Sequence, residues 1–106
     1  MVAMADIQEM AEGIAREFKP ERIILFGSYA RGDAGQDSDI DLLVLAEHAG
    51  KSWEYAGRIR LHLPMDLSFD VLVRTPQYFQ ERLAMGDPFL SEIAREGVTL
   101  YEANHG

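Results

Sequence analysis

The run Ser38-Asp39-Ile40-Asp41-Leu42-Leu43-Val44-Leu45 opens on two acids and then stays apolar for the length of a strand. Successive side chains of a strand point to opposite faces, so Asp39 and Asp41 share one face while Ile40 and Leu42 take the other. Two ionised carboxylates side by side repel, and partial burial adds a desolvation cost. A cation between them relieves both penalties, and Mg²⁺ is the hard, oxygen-seeking candidate. The pair therefore reads as half of a metal site at the head of an otherwise apolar strand.

The surrounding pattern places that strand in an α+β fold. Ile7, Met10, Ala11, Ile14 and Phe18 recur at helical spacing over Ala5 to Phe18, and Lys19-Pro20 ends the segment. Arg22 to Phe26 is a β-branched and aromatic run stopped by Gly27, hence a buried strand, and Ser28 to Arg31 reads as a short helical turn. After a loop, the second strand spans Ile40 to Ala46. A helix follows over Lys51 to Leu63, and a third strand over Leu67 to Val73. Thr75-Pro76 and Asp87-Pro88 carry helix-start chemistry, which predicts helices over Pro76–Met85 and Pro88–Glu96. Gly97 stops the last, and Val98 to Tyr101 forms a short edge strand. The expected architecture is a small mixed β-sheet of three to four strands with helices packed mainly on one face.

A chain of 106 residues suffices for one compact domain, 1–106, with a single core. No run approaches the roughly 20 apolar residues of a membrane span, and the first residues lack a secretory signal, so the cytoplasm is the expected compartment. Absence of cysteine excludes disulfides, thiolate metal sites and cysteine nucleophiles. A net charge of −8 leaves no basic footprint for a nucleic-acid backbone and favours a protein or small-molecule partner.

Gly27-Ser28 lies where a strand meets a helical turn, where backbone N–H groups and a hydroxyl can hold a phosphate. Alone, it more often describes a turn with a capping serine; followed by Arg31 and the Asp39/Asp41 pair it becomes a phosphate-and-metal arrangement. Arg31 is open between phosphate binding and a surface ion pair with Asp33. A two-metal clamp needs a third carboxylate, and Asp70, inside the third strand, is preferred to Asp66, which shares its face but lies at the strand entry. His48, His62 and His105 lack ligand spacing and read as surface residues. Trp53 is expected in the core and Tyr55 partly exposed, with lining of a base or partner site as the alternative.

Gly27-Ser28-Tyr29-Ala30-Arg31-Gly32 followed by Ser38-Asp39-Ile40-Asp41-Leu42-Leu43-Val44 resembles the signature of the DNA polymerase β-type nucleotidyltransferases, specifically the minimal nucleotidyltransferases. The likeness extends to the flanking helices, the Asp70 strand and the closing Gly97 to Glu102 stretch. It implies the nucleotidyltransferase fold and transfer of a nucleoside monophosphate from a triphosphate to an acceptor hydroxyl. Two Mg²⁺ ions would be held by Asp39, Asp41 and Asp70, with Gly27, Ser28 and Arg31 binding the nucleotide. The resemblance further implies ATP as substrate and a helical HEPN toxin as partner, silenced by AMP placed on a tyrosine. A non-catalytic antitoxin and a small-molecule nucleotidyltransferase are the competing readings.

Overall fold

The computed structural model describes residues 1–104. Its elements follow the order α1 (Met4–Phe18), β1 (Arg22–Phe26), α2 (Gly27–Arg31), β2 (Ile40–Leu45), α3 (Ser52–Arg60), β3 (Phe69–Arg74), α4 (Pro76–Ala84), α5 (Pro88–Glu96) and β4 (Val98–Glu102). In α1 the buried stripe is Ile7, Ala11, Ile14 and Ala15, and Lys19 in the left-handed region closes the helix with its N–H on the Ala15 carbonyl. Thr75 and Asp87 cap α4 and α5 through their side chains, each followed by proline at the first helical position. Helix α3 ends at Arg60, short of the expected Leu63. His62 and Leu63 instead donate to the carbonyls of Ile59 and Arg60, the tighter spacing of a helix that is closing.

The four strands form one sheet in the order β3-β2-β1-β4. Both neighbours of β1 run antiparallel to it, whereas β2 and β3 are parallel and are joined by α3, as a parallel pair requires a crossover. This is the α+β mixed sheet expected from the element pattern, with β4 on the edge. Parallel pairing puts Asp41 opposite Asp70. It also sets the heads of β2 and β3 beside the tail of β1, since Phe26 faces Asp41.

Helices cover both faces of the sheet and its core is divided in two, where packing mainly on one face around a single core was expected. Ile23, Leu25, Leu42, Val44, Val71 and Val73 pack with α1 and α3 in the larger cluster. Ile24, Leu43 and Leu45 pack with Phe79, Leu90 and Ile93 of α4 and α5 in the smaller one. Strands covered on both faces need apolar residues at every position, which is why β2 reads as a continuous apolar run after Asp41. At Gly97 the end of α5 presses so closely on β1 that a Cβ would lie 2.5 Å from the Ile93 carbonyl and 2.6 Å from Ile24. Among the described residues no helix is long and apolar enough to cross a membrane.

Candidate active site

Odd-numbered positions Asp39, Asp41, Leu43 and Leu45 alternate with the larger cluster's Ile40, Leu42 and Val44. The carboxylates thus share the sheet face that α4 and α5 cover further along. Asp41 is half-buried and Asp39 and Asp70 are exposed. Burial raises the Asp41 carboxyl above its ordinary range, and the neighbouring charges of Asp70 and then Asp39 raise it further, while Arg31 opposes them. Asp70 and Asp39 are therefore the carboxylates that bear on Asp41, and Asp66 is not among them. Asp66 instead lines a hollow of about 290 Å³ with Asp37, Ser38, Asp39 and Ser68.

Gly27 completes the arrangement. It follows the extended Phe26 and turns the chain into α2 with φ +73°, a conformation that suits glycine. A Cβ there would lie 2.1 Å from Asp41 Oδ2, so the backbone of the turn and the carboxylate are in direct contact. Ser28 follows in the first turn of α2, where backbone N–H groups lack intrahelical acceptors. Arg31 is exposed and its Nε lies 3.4 Å from Asp33 Oδ2, the ion pair that was one of its two expected roles. It also lines a hollow of about 190 Å³ with Phe26, Gly27, Phe89, Ile93 and Gly97. The rings of Phe26 and Phe89 meet edge to face there, 5.9 Å apart.

Among the described residues no three of His, Cys, Asp or Glu are already gathered as a group that could hold a metal ion. Asp39 is engaged elsewhere, its Oδ1 accepting a hydrogen bond from Ser68 Oγ. The donor set nevertheless fits Mg²⁺. It consists of carboxylate and hydroxyl oxygens, and the charges that raise Asp41 are those a cation would offset. Ser68 is the residue that the motif reading passes over. Its signal is the spacing Ser68-Phe69-Asp70, which repeats on β3 the two-residue step of Asp39-Ile40-Asp41.

The aromatic expectations are corrected. Trp53 is 67% exposed and Tyr55 is 7% exposed. Ala56 and Ile59 set the buried face of α3, Tyr55 lies on that stripe, and Trp53 falls on the far side of the helix. Tyr55 packs against Phe18 and His48 and takes Arg58 over its ring, away from the carboxylates. His48 is half-buried rather than a surface residue, with a buried Nδ1 that has no hydrogen-bond partner. His62 is exposed and stands edge-on to Phe18, and His105 lies outside the described residues.

Residues 7–101 match the nucleotidyltransferase domain family. A Methanocaldococcus jannaschii protein, provisionally named a protein adenylyltransferase, is 34% identical over 80 residues, covering 76% of this chain and 78% of its own. Among solved structures, a chain of a toxin–antitoxin crystal structure with AMP-PNP is similar in fold, at TM-score 0.59 and 24% identity. That match covers 92% of this chain and 74% of the other. A chain from a complex of tri-AMPylated Shewanella oneidensis HEPN toxin with its MNT antitoxin gives TM-score 0.53 and 22% identity, covering 94% and 74%. With nearly its whole length matched and a relative of this identity, the chain belongs to the nucleotidyltransferase domain family and is a nucleotidyltransferase by class.

Proposed function

We propose that this chain transfers AMP from ATP to a tyrosine hydroxyl of a cognate HEPN toxin and thereby acts as its antitoxin. The observation that carries the reading is the meeting of Asp41 with Asp70 across β2 and β3, beside Asp39 and against the backbone of Gly27. The name of the M. jannaschii relative supports an adenylyl group and a protein acceptor, and the complexes of similar fold support a HEPN partner and ATP. The hollow of about 190 Å³ lined by Gly27 and Arg31 and that of about 290 Å³ lined by Asp39 and Ser68 lie at or below the low end of a typical ligand pocket, roughly 300–1,000 Å³. An open site of that kind suits a reaction that a docked partner completes. The assignment covers a single minimal nucleotidyltransferase domain, 1–106, working in the cytoplasm.

Asp39, Asp41 and Asp70 would hold Mg²⁺, with two ions as the expected complement. When bound, Mg²⁺ supplies electrostatic stabilisation to the attacking and leaving oxygens of an in-line displacement at the α-phosphate. Asp70, the exposed member of the pair, takes the proton of the acceptor hydroxyl. The hydroxyl oxygen bonds to the α-phosphorus as the bond to the β-phosphate oxygen breaks, and pyrophosphate leaves with that electron pair. Gly27 and Ser28 seat the β- and γ-phosphates at the start of α2. Arg31 exchanges its partner Asp33 for phosphate oxygen.

Co-expression with a candidate HEPN toxin from the same genome tests the reading. Wild type relieves the growth arrest and leaves AMP on a toxin tyrosine, detected by mass spectrometry, and Asp39→Asn does neither. Relief by Asp39→Asn equal to wild type would instead make the chain an antitoxin that works by binding alone.

A further inference from the structure

The head of β3 carries a hydroxyl where its next same-face position carries a carboxylate. Ile40 pairs with Phe69 and Asp41 with Asp70, so one step back along the parallel ladder Asp39 stands opposite Ser68. The pairing continues there through the backbone, the Ile40 N–H donating to the Ser68 carbonyl at 2.9 Å. Paired residues of a parallel ladder point to the same face, which brings the Ser68 hydroxyl to the Asp39 carboxylate and lets it donate to Oδ1. Among the described residues the other oxygen of Asp39 has no hydrogen-bond partner.

We propose that Ser68 is a positioning residue that fixes the Asp39 carboxylate for divalent-cation binding. The proposal rests on the functional reading above and adds a residue to it. Asp39 lies outside the regular strand and is exposed, so packing does not hold its side chain in one rotamer. The Ser68 hydroxyl supplies that restraint, engaging one oxygen and leaving its twin available. A hydroxyl suits the position for a second reason: a fourth carboxylate would add repulsion to the three already acting there. Groups that orient a metal-binding side chain typically contribute about 10–100-fold to affinity when they are removed.

The experiment is Mn²⁺ binding to the full chain without nucleotide, read from the loss of the free-ion electron paramagnetic resonance signal. Ser68→Ala and Ser68→Val bind Mn²⁺ about tenfold more weakly than wild type, and Ser68→Thr, which keeps the hydroxyl, binds as wild type. Unfolding temperatures in chelator remain together, because the exposed hydroxyl has no packing role. Equal affinity in wild type, Ser68→Ala and Ser68→Val overturns the role of Ser68. Asp41→Asn is the control for the underlying reading: if it too binds Mn²⁺ as wild type does, the carboxylate site itself fails and the proposal falls with it.

Discussion

Asp41 occupies the space that a side chain at Gly27 would need: a Cβ on Gly27 would fall 2.1 Å from Asp41 Oδ2. The turn that ends β1 and the acid that heads β2 are therefore one unit, and a change at position 27 is felt first by the carboxylate.

Gly27→Ala tests that unit. The methyl group displaces the Asp41 carboxylate, and alanine at φ +73° adds backbone strain of about 1–2 kcal/mol. Displacing a reacting group by an ångström can lower a rate about 100-fold. AMP transfer should drop by roughly that factor while the chain still folds with a modestly lower melting temperature. Unchanged transfer would show that the contact does not position Asp41.

Asp41 gives the free protein an inverted acid response. In the unfolded chain it titrates near the ordinary value, about 3.9, and in the fold burial and then Asp70 and Asp39 raise it. Its contribution is thus fully favourable below the unfolded value and is lost as pH rises through the folded one. Asp41→Asn should melt above wild type at pH 7 in chelator, and the two should converge below about pH 4. Mg²⁺ should then raise the melting temperature of wild type but not of Asp41→Asn.

Asp87 has the opposite sign. Its Oδ1 accepts from the Leu90 N–H at 3.0 Å, and its Oδ2 accepts from Arg82 at 3.0 and 3.1 Å. The Leu90 bond first, and then Arg82, hold its carboxyl below the usual range. That stability is present above the unfolded value and is lost as pH falls through the folded one. Asp87→Asn should melt below wild type at neutral pH, with the gap closing in acid.

The two aromatic residues of α3 should separate cleanly by mutation. Tyr55→Ala removes a buried ring and should cost on the order of 3 kcal/mol, whereas Trp53→Ala on the exposed face should stay within about 0.5 kcal/mol. Denaturant unfolding of both variants measures the difference, and acrylamide should quench Trp53 readily in the native protein.

The strands and the acidic face are legible in the sequence for a physical reason. The period of two places Asp39 with Asp41 regardless of what lies above them, and β2 is apolar from Leu42 onward because both sheet faces are covered there. Helix starts at Thr75 and Asp87 are equally local, since capping needs only the cap residue and the turn that follows. The orientation of α3 is different. It depends on which residues meet the sheet, and there Ala56 and Ile59 outweigh the size of Trp53. The preference for Asp70 over Asp66 becomes geometric only with the parallel register of β2 and β3. Ser68 is hidden for the same reason, because a lone serine at a strand entry acquires meaning only when Asp39 stands opposite.

Transfer assays with ATP labelled separately at the α- and γ-phosphates address the central chemistry most directly. With Mg²⁺ and the HEPN acceptor, label from the α-phosphate should appear on the acceptor, label from the γ-phosphate should leave in pyrophosphate, and Asp41→Asn should neither label the acceptor nor release pyrophosphate. Label from the γ-phosphate on the acceptor, or undiminished transfer by Asp41→Asn, would contradict nucleotidyl transfer at the Asp39, Asp41 and Asp70 site.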